Sequence, residues 1–105
     1  MLKLYRAYEY FDFYKDLDGS IIPNNQTEIG EVFIDDTIDI KTLKRYLKKL
    51  FGLKSNIRLN NLWIDWDLDT IIIDYVTRYG IVPIGYLNLV DDSDSEEEEL
   101  TVANW

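Results

Sequence analysis

The sequence predicts an α+β domain of element order ββαβββ, with one amphipathic helix packed on a mixed sheet and an acidic C-terminal tail. Three observations predict it. One stretch, from Ile40 to Phe51, has apolar residues at helical spacing. Runs of aromatic and β-branched residues lie on either side of it, separated by Gly, Pro and Asn. Finally, Asp91 to Glu99 reads DDSDSEEEE, seven acids in nine residues, too dense to join a core.

Leu2 to Tyr14 holds six aromatics, Tyr5, Tyr8, Tyr10, Phe11, Phe13 and Tyr14, and reads as a first strand. Asp16 to Gln26 contains Gly19, Pro23, Asn24 and Asn25, which predict a loop. Glu31 to Ile34 completes a hairpin. Asp39 is placed to cap the helix, whose apolar side is Ile40, Leu43, Leu47, Leu50 and Phe51. Gly52 stands where a left-handed residue closes a helix. Ile57 to Trp66 and Thr70 to Thr77 alternate as two strands about the turn Asp67-Leu68-Asp69. Pro83 to Val90 is the last strand, with Pro83 expected at its start or on an edge, where a missing N–H costs least. Residues 1–90 form the expected domain, and residues 91–105 the tail.

A chain of 105 residues has room for one modest core. Its formal charge of −9 is segregated: residues 40 to 64 contain no acid and seven bases, Lys41, Lys44, Arg45, Lys48, Lys49, Lys54 and Arg58. Such polarity steers encounters with charged partners and does not dictate fold. There is no Cys and no His, which excludes disulfides, thiolate nucleophiles and Cys/His zinc sites. No run approaches the ~18 apolar residues of a membrane span. Leu2 to Tyr14 is interrupted by Lys3, Arg6, Glu9 and Asp12, unlike a signal peptide. A soluble, intracellular, cytoplasmic protein is expected.

Several short stretches resemble ubiquitin-like domains of the β-grasp fold. They are Asp36-Thr37-Ile38, the helix ending in Gly52, Thr70-Ile71, Asp74-Tyr75-Val76 and Tyr86 to Val90. The helix LKRYLKKLFGL and Pro83-Ile84-Gly85-Tyr86 look closer to the ubiquitin-like domain of Polycomb ring-finger proteins. The resemblance spans residues 32 to 90 and implies a β-grasp fold with a general binding role. The sequence ends Asn104-Trp105 without a Gly-Gly pair, so conjugation is not implied, and no ring finger accompanies it.

Catalysis finds little support in these residue types. Asp65, Asp67 and Asp69 form a D-x-D-x-D series that in principle holds a divalent cation, but it runs into a turn where acids are ordinarily solvated. Asp16-x-Asp18-Gly19 matches part of a calcium loop and fails at Tyr14 and Asn25. No cofactor and no metal is expected. The bases Lys41, Lys44, Arg45, Lys48 and Lys49 have two readings, phosphate contacts or the solvent side of a structural helix, and the second is favoured.

The tail has several. It folds back on the basic helix, imitates a phosphate backbone, or acts with Leu87 to Val90 as a SUMO-interacting motif. The plainest alternative is a solubilising tail. Its apolar end, Leu100 to Trp105, argues for docking, since a Trp beside acids is a common anchor.

The functional expectation is a non-enzymatic acidic binding module. Its contacts would be Asp35, Asp36, Asp39, Asp65, Asp67, Asp69, Asp91, Asp92, Asp94, Glu96, Glu97, Glu98, Glu99 and Trp105. The partner would be a basic, nucleic-acid-handling protein whose groove it occupies, as small acidic phage inhibitors of host defence do. Direct nucleic-acid binding and membrane binding are not expected, and self-association through edge strands is open. The alternatives are a ubiquitin-like subunit docking into a larger assembly, chromatin or other, through apolar strand edges, and a single-strand nucleic-acid-binding protein with a competing tail.

Overall fold

The chain begins with a long hairpin, β1 (Leu2–Lys15) and β2 (Ile21–Asp35). In the computed structural model, which describes residues 1–90, only Asp16 to Ser20 form its turn. The Asp16 carboxylate accepts from the Leu17 N–H at 2.8 Å, Asp18 accepts from Ser20 at 2.9 Å, and Gly19 takes φ 90°. The predicted loop over Asp16 to Gln26 is therefore mostly strand. Pro23 survives there because β2 is an edge strand, where one missing donor breaks no ladder on the open side. The amides of Asn24 and Asn25 donate to the Asp12 carboxylate at 3.1 and 3.2 Å, across the ribbon. Turn-forming residue types are here used as cross-strand partners. Ile29 is an extra residue between the pairs Ala7–Gly30 and Tyr8–Glu28, a bulge eased by Gly30 at φ 138°.

Helix α1 (Ile40–Leu50) starts at Asp39, whose carboxylate accepts from the Thr42 N–H at 3.0 Å and the Thr42 hydroxyl at 2.7 Å. It ends at Gly52, φ 61°, where the N–H groups of Gly52 and Leu53 donate to the carbonyls of Lys49 and Lys48. Leu43 and Leu47 are fully buried. A 3₁₀ turn (Leu59–Asn61) leads into β3 (Leu62–Asp67), so the predicted strand from Ile57 begins five residues late. Its first residues face the helix instead, and the carbonyls of Ser55 and Ile57 accept from Lys48 Nζ at 3.2 and 2.6 Å. β4 (Thr70–Thr77) and β5 (Gly80–Leu89) complete the domain.

The strands lie in the order β2-β1-β5-β4-β3, and all four pairings are antiparallel. The expected mixed sheet is thus replaced by an antiparallel one. The physical reason is the crossover: α1 joins β2 to β3, the two edges, which run the same way without pairing. β5 lies at the centre, yet β1 pairs with it only from Gly85 to Leu89. Pro83, opposite Asp74 of β4, precedes that stretch and sits beside a bulge at Ile84. The strand thus begins at Gly80, three residues before the expected Pro83, and Pro83 is its fourth residue; its missing N–H is tolerated because β1 does not pair with β5 there.

Alternation divides the sheet into two faces. Tyr5, Ala7, Ile34, Ile71, Ile73 and Leu87 point at the helix and form one core with Leu43, Leu47 and Phe51. Trp66 closes this core edge-on to Tyr5, ring centroids 6.3 Å apart. The opposite face has no covering layer among the described residues. Antiparallel sheets tolerate that when the second face is polar.

Candidate functional site: the open face of the sheet

Register sets what the open face displays. Arg6 pairs with Glu31 and Asn88, and Tyr8 pairs with Glu28 and Tyr86. Beyond them Ile72 pairs with Tyr86 and Asp65, Asp74 with Trp63, and Thr70 with Asp67. All these side chains lie on the face away from α1. The result is an aromatic centre flanked by carboxylates on both sides.

The centre is built of Tyr8, Tyr10 and Tyr86. Tyr8 and Tyr86 stack at 5.0 Å between centroids, and Tyr10 tilts onto Tyr86 at 5.6 Å. Gln26 Nε2 donates to the Tyr86 hydroxyl at 2.5 Å and ties the edge strand to this group. Burial, with Tyr86 and Asp74 nearby, raises the pKa of Tyr10. Trp63 stands 63% exposed on β3 opposite Asp74, and Ile72 pairs with Tyr86 one row along.

The carboxylates are Glu28, Glu31, Asp65, Asp67 and Asp74. The single base on the described face is Arg6, already engaged by Glu31 at 3.2 Å and Glu28 at 3.5 Å. The pKa of Arg6 is raised, by Tyr8 first and then by Glu31. Asp74 is half-buried, and its pKa is raised by burial and by the charge on Asp65. That side of the sheet is therefore negative, and the charge on Asp65 disfavours ionisation of Asp74.

The acids predicted as contacts fall into three groups. Asp65 and Asp67 are on the open face, with Asp69 in the adjoining turn, where its carbonyl accepts from the Leu89 N–H. Asp36 and Asp39 lie around the start of the helix and Asp35 at the end of β2, and all three are engaged locally. Asp35 accepts from the Thr37 N–H and hydroxyl and from the Met1 amine, and its pKa falls to about 2. Asp36 pairs with the Met1 amine and Lys3, and Asp39 is the helix cap. Among the described residues, no three acidic side chains converge on a site fit for a metal ion, the 65-67-69 series included. Asp91, Asp92, Asp94, Glu96 to Glu99 and Trp105 lie outside the described residues.

The other side of the molecule is basic. Lys41, Lys44, Lys48 and Arg58 line an open groove of about 620 Å³ between α1 and the segment Ser55 to Asn60. Glu28, Glu31, Asp74, Trp63 and the tyrosine group were not among the contacts expected from the sequence. The signal for them was strand alternation, which marks Trp63, Asp65 and Asp67 as one face once β3 starts at Leu62.

No known protein family, curated protein or solved structure matches this chain. Among the described residues, no helix is long and apolar enough to cross a membrane.

Proposed function

We propose that this is a non-enzymatic binding module whose open sheet face, aromatic at its centre and acidic around it, engages a basic surface on a partner protein. The observation that carries the reading is the charge balance of that face. Five carboxylates surround three tyrosines and Trp63, and the only described base there is already paired. Exposed aromatics supply contact area at low entropic cost, and the acids supply steering and register. The partner class is a nucleic-acid-handling protein, because its phosphate-binding groove offers the matching basic strip. Small phage inhibitors of host defence work in this way. Asp65, Asp67 and Asp69 belong to this surface, and the acids of 91–99 with Trp105 would extend it.

The ubiquitin-like β-grasp reading also belongs here. The ββαβββ order and the single helix across the sheet support it, and the antiparallel β1–β5 pair weighs against it. The binding role rests on the surface and does not depend on that kinship.

The test uses proteins retained on DNA-cellulose, passed over the immobilised full chain. Retention should be released by duplex DNA and by about 1 M salt, where the screening length shrinks to ~3 Å. The Asp65→Asn/Asp67→Asn double variant should retain less. Retention that survives both saturating DNA and high salt would overturn the reading.

A further inference from the structure

The basic groove has a neighbour. At its lower end Ile57 also lines a small apolar notch of about 230 Å³, walled by Phe13, Phe51, Leu53, Tyr75 and Pro83. Along α1 from its first turn, the molecule therefore offers four bases, Lys41, Lys44, Lys48 and Arg58, and then an apolar recess. None of the four bases pairs with a carboxylate among the described residues. Lys48 instead donates to the carbonyls of Ser55 and Ile57, which fixes the groove's wall.

The strand β5 delivers the chain to the start of this track. Val90 N–H donates to the Leu4 carbonyl, two residues from Leu2, which pairs with Asp35 just before the helix cap. The helix then runs toward Gly85, where Phe51 covers the sheet. So the chain leaves the described domain at the end where α1 begins. Seven acids in 91–99 come next in the sequence, and after them Leu100, Val102 and Trp105. Acids first and apolar residues second is the same order as the groove's bases and notch.

Reach is sufficient. Eleven helical residues span about 16 Å, and ten extended residues reach up to about 33 Å. Charge and order agree.

We infer that the groove between α1 and Ser55–Asn60 is the docking site of the chain's own segment 91–105. Its acids lie along Lys41, Lys44 and Arg58, and its apolar end enters the notch beneath Ile57. This inference rests on the groove and stands apart from the partner reading of the opposite face. It adds a control to that reading: docked, the tail is withheld, and a basic partner has to displace it. It also keeps the groove from external polyanions.

The absence of Cys makes a direct test possible, because one introduced thiol is the only one in the chain. A nitroxide on full-length Ser95→Cys should broaden backbone amide resonances of Lys41 to Lys48 and of Ile57 to Asn60. The broadening should vanish at about 1 M salt and in the Lys41→Ser/Lys44→Ser/Arg58→Ser variant. These substitutions are on the surface, and preserved dispersion of the spectrum shows that the variant still folds. A second label at Asn104→Cys should act on Tyr75, Val82 and Ile84. Broadening of the open face, or uniform weak broadening, would overturn the inference. So would broadening seen only when labelled and isotope-enriched copies are mixed, since that places the tail on a second copy.

Discussion

The ring of Phe51 lies directly over Gly85, with its Cε1 only 2.7 Å from where a Cβ on residue 85 would stand. The same added atom would also collide with the Tyr8 carbonyl oxygen, which is backbone and has nowhere to go. Helix end, central strand and β1 thus meet at a position that admits no side chain. Gly85→Ala should destabilise the domain by about 1–3 kcal/mol, the usual cost of overpacking a well-filled site. Urea unfolding followed by tryptophan fluorescence measures it. A midpoint unchanged from the parent would show that Phe51 is not held against the sheet as described.

Asp39 anchors the other end of the helix. Two hydrogen bonds to Thr42 hold its carboxylate, and they lower its pKa. Asp39→Ala should cost about 1 kcal/mol, within the range for lost N-caps, and Asp39→Ser much less. If the cap is the whole role of this carboxylate, neither variant weakens retention by a basic partner. Equal losses of binding and stability would return Asp39 to the acidic surface.

The two ends of the helix show what was legible in advance. The helix was readable because its period, its cap and its closing glycine agree, and all three are local. The antiparallel topology was not, because β1–β5 pairing joins residues some eighty apart and no local pattern encodes direction. The far half of β2 was hidden for a different reason. Pro23, Asn24 and Asn25 are turn formers by propensity, and only the pairing with Asp12 makes them strand residues. Asp65 and Asp67 stand out in the sequence as acids, and so do Asp35 and Asp39, which serve the backbone instead. Counting charge cannot distinguish a carboxylate that caps backbone N–H groups from one that faces solvent.

Asp35 gives a pH signature. The Thr37 N–H, the Thr37 hydroxyl and the Met1 amine favour its charged form, and its pKa drops from 3.8 to about 2 in the fold. A folded pKa below the unfolded one means stability present above the unfolded value and lost as pH falls toward the folded one. Parent and Asp35→Asn should therefore differ in melting temperature at neutral pH and converge between pH 3.8 and about 2. Acetylating the Met1 amine should remove part of the difference. A gap that stays constant from neutral pH down to pH 2 would mean that the carboxylate charge is not what stabilises this turn.

Asp74 should behave in the opposite sense. Burial and the neighbouring Asp65 raise its pKa, so folding disfavours its charged form. The domain then loses stability as pH rises through the unfolded pKa, and the loss is complete above the folded one. Asp74→Asn should raise the melting temperature at neutral pH and change it little at pH 3, where the acid is already protonated in both states. Asp65→Asn should recover part of the same gain, because it removes the like charge that Asp74 meets across β3 and β4. Surfaces that keep such a cost commonly keep it for binding, as perturbed groups cluster at functional sites. The stabilised Asp74→Asn variant should accordingly retain a basic partner less well than the parent at low salt, and equally poorly at high salt. Higher stability combined with undiminished retention would assign Asp74 to the sheet alone and remove it from the interface.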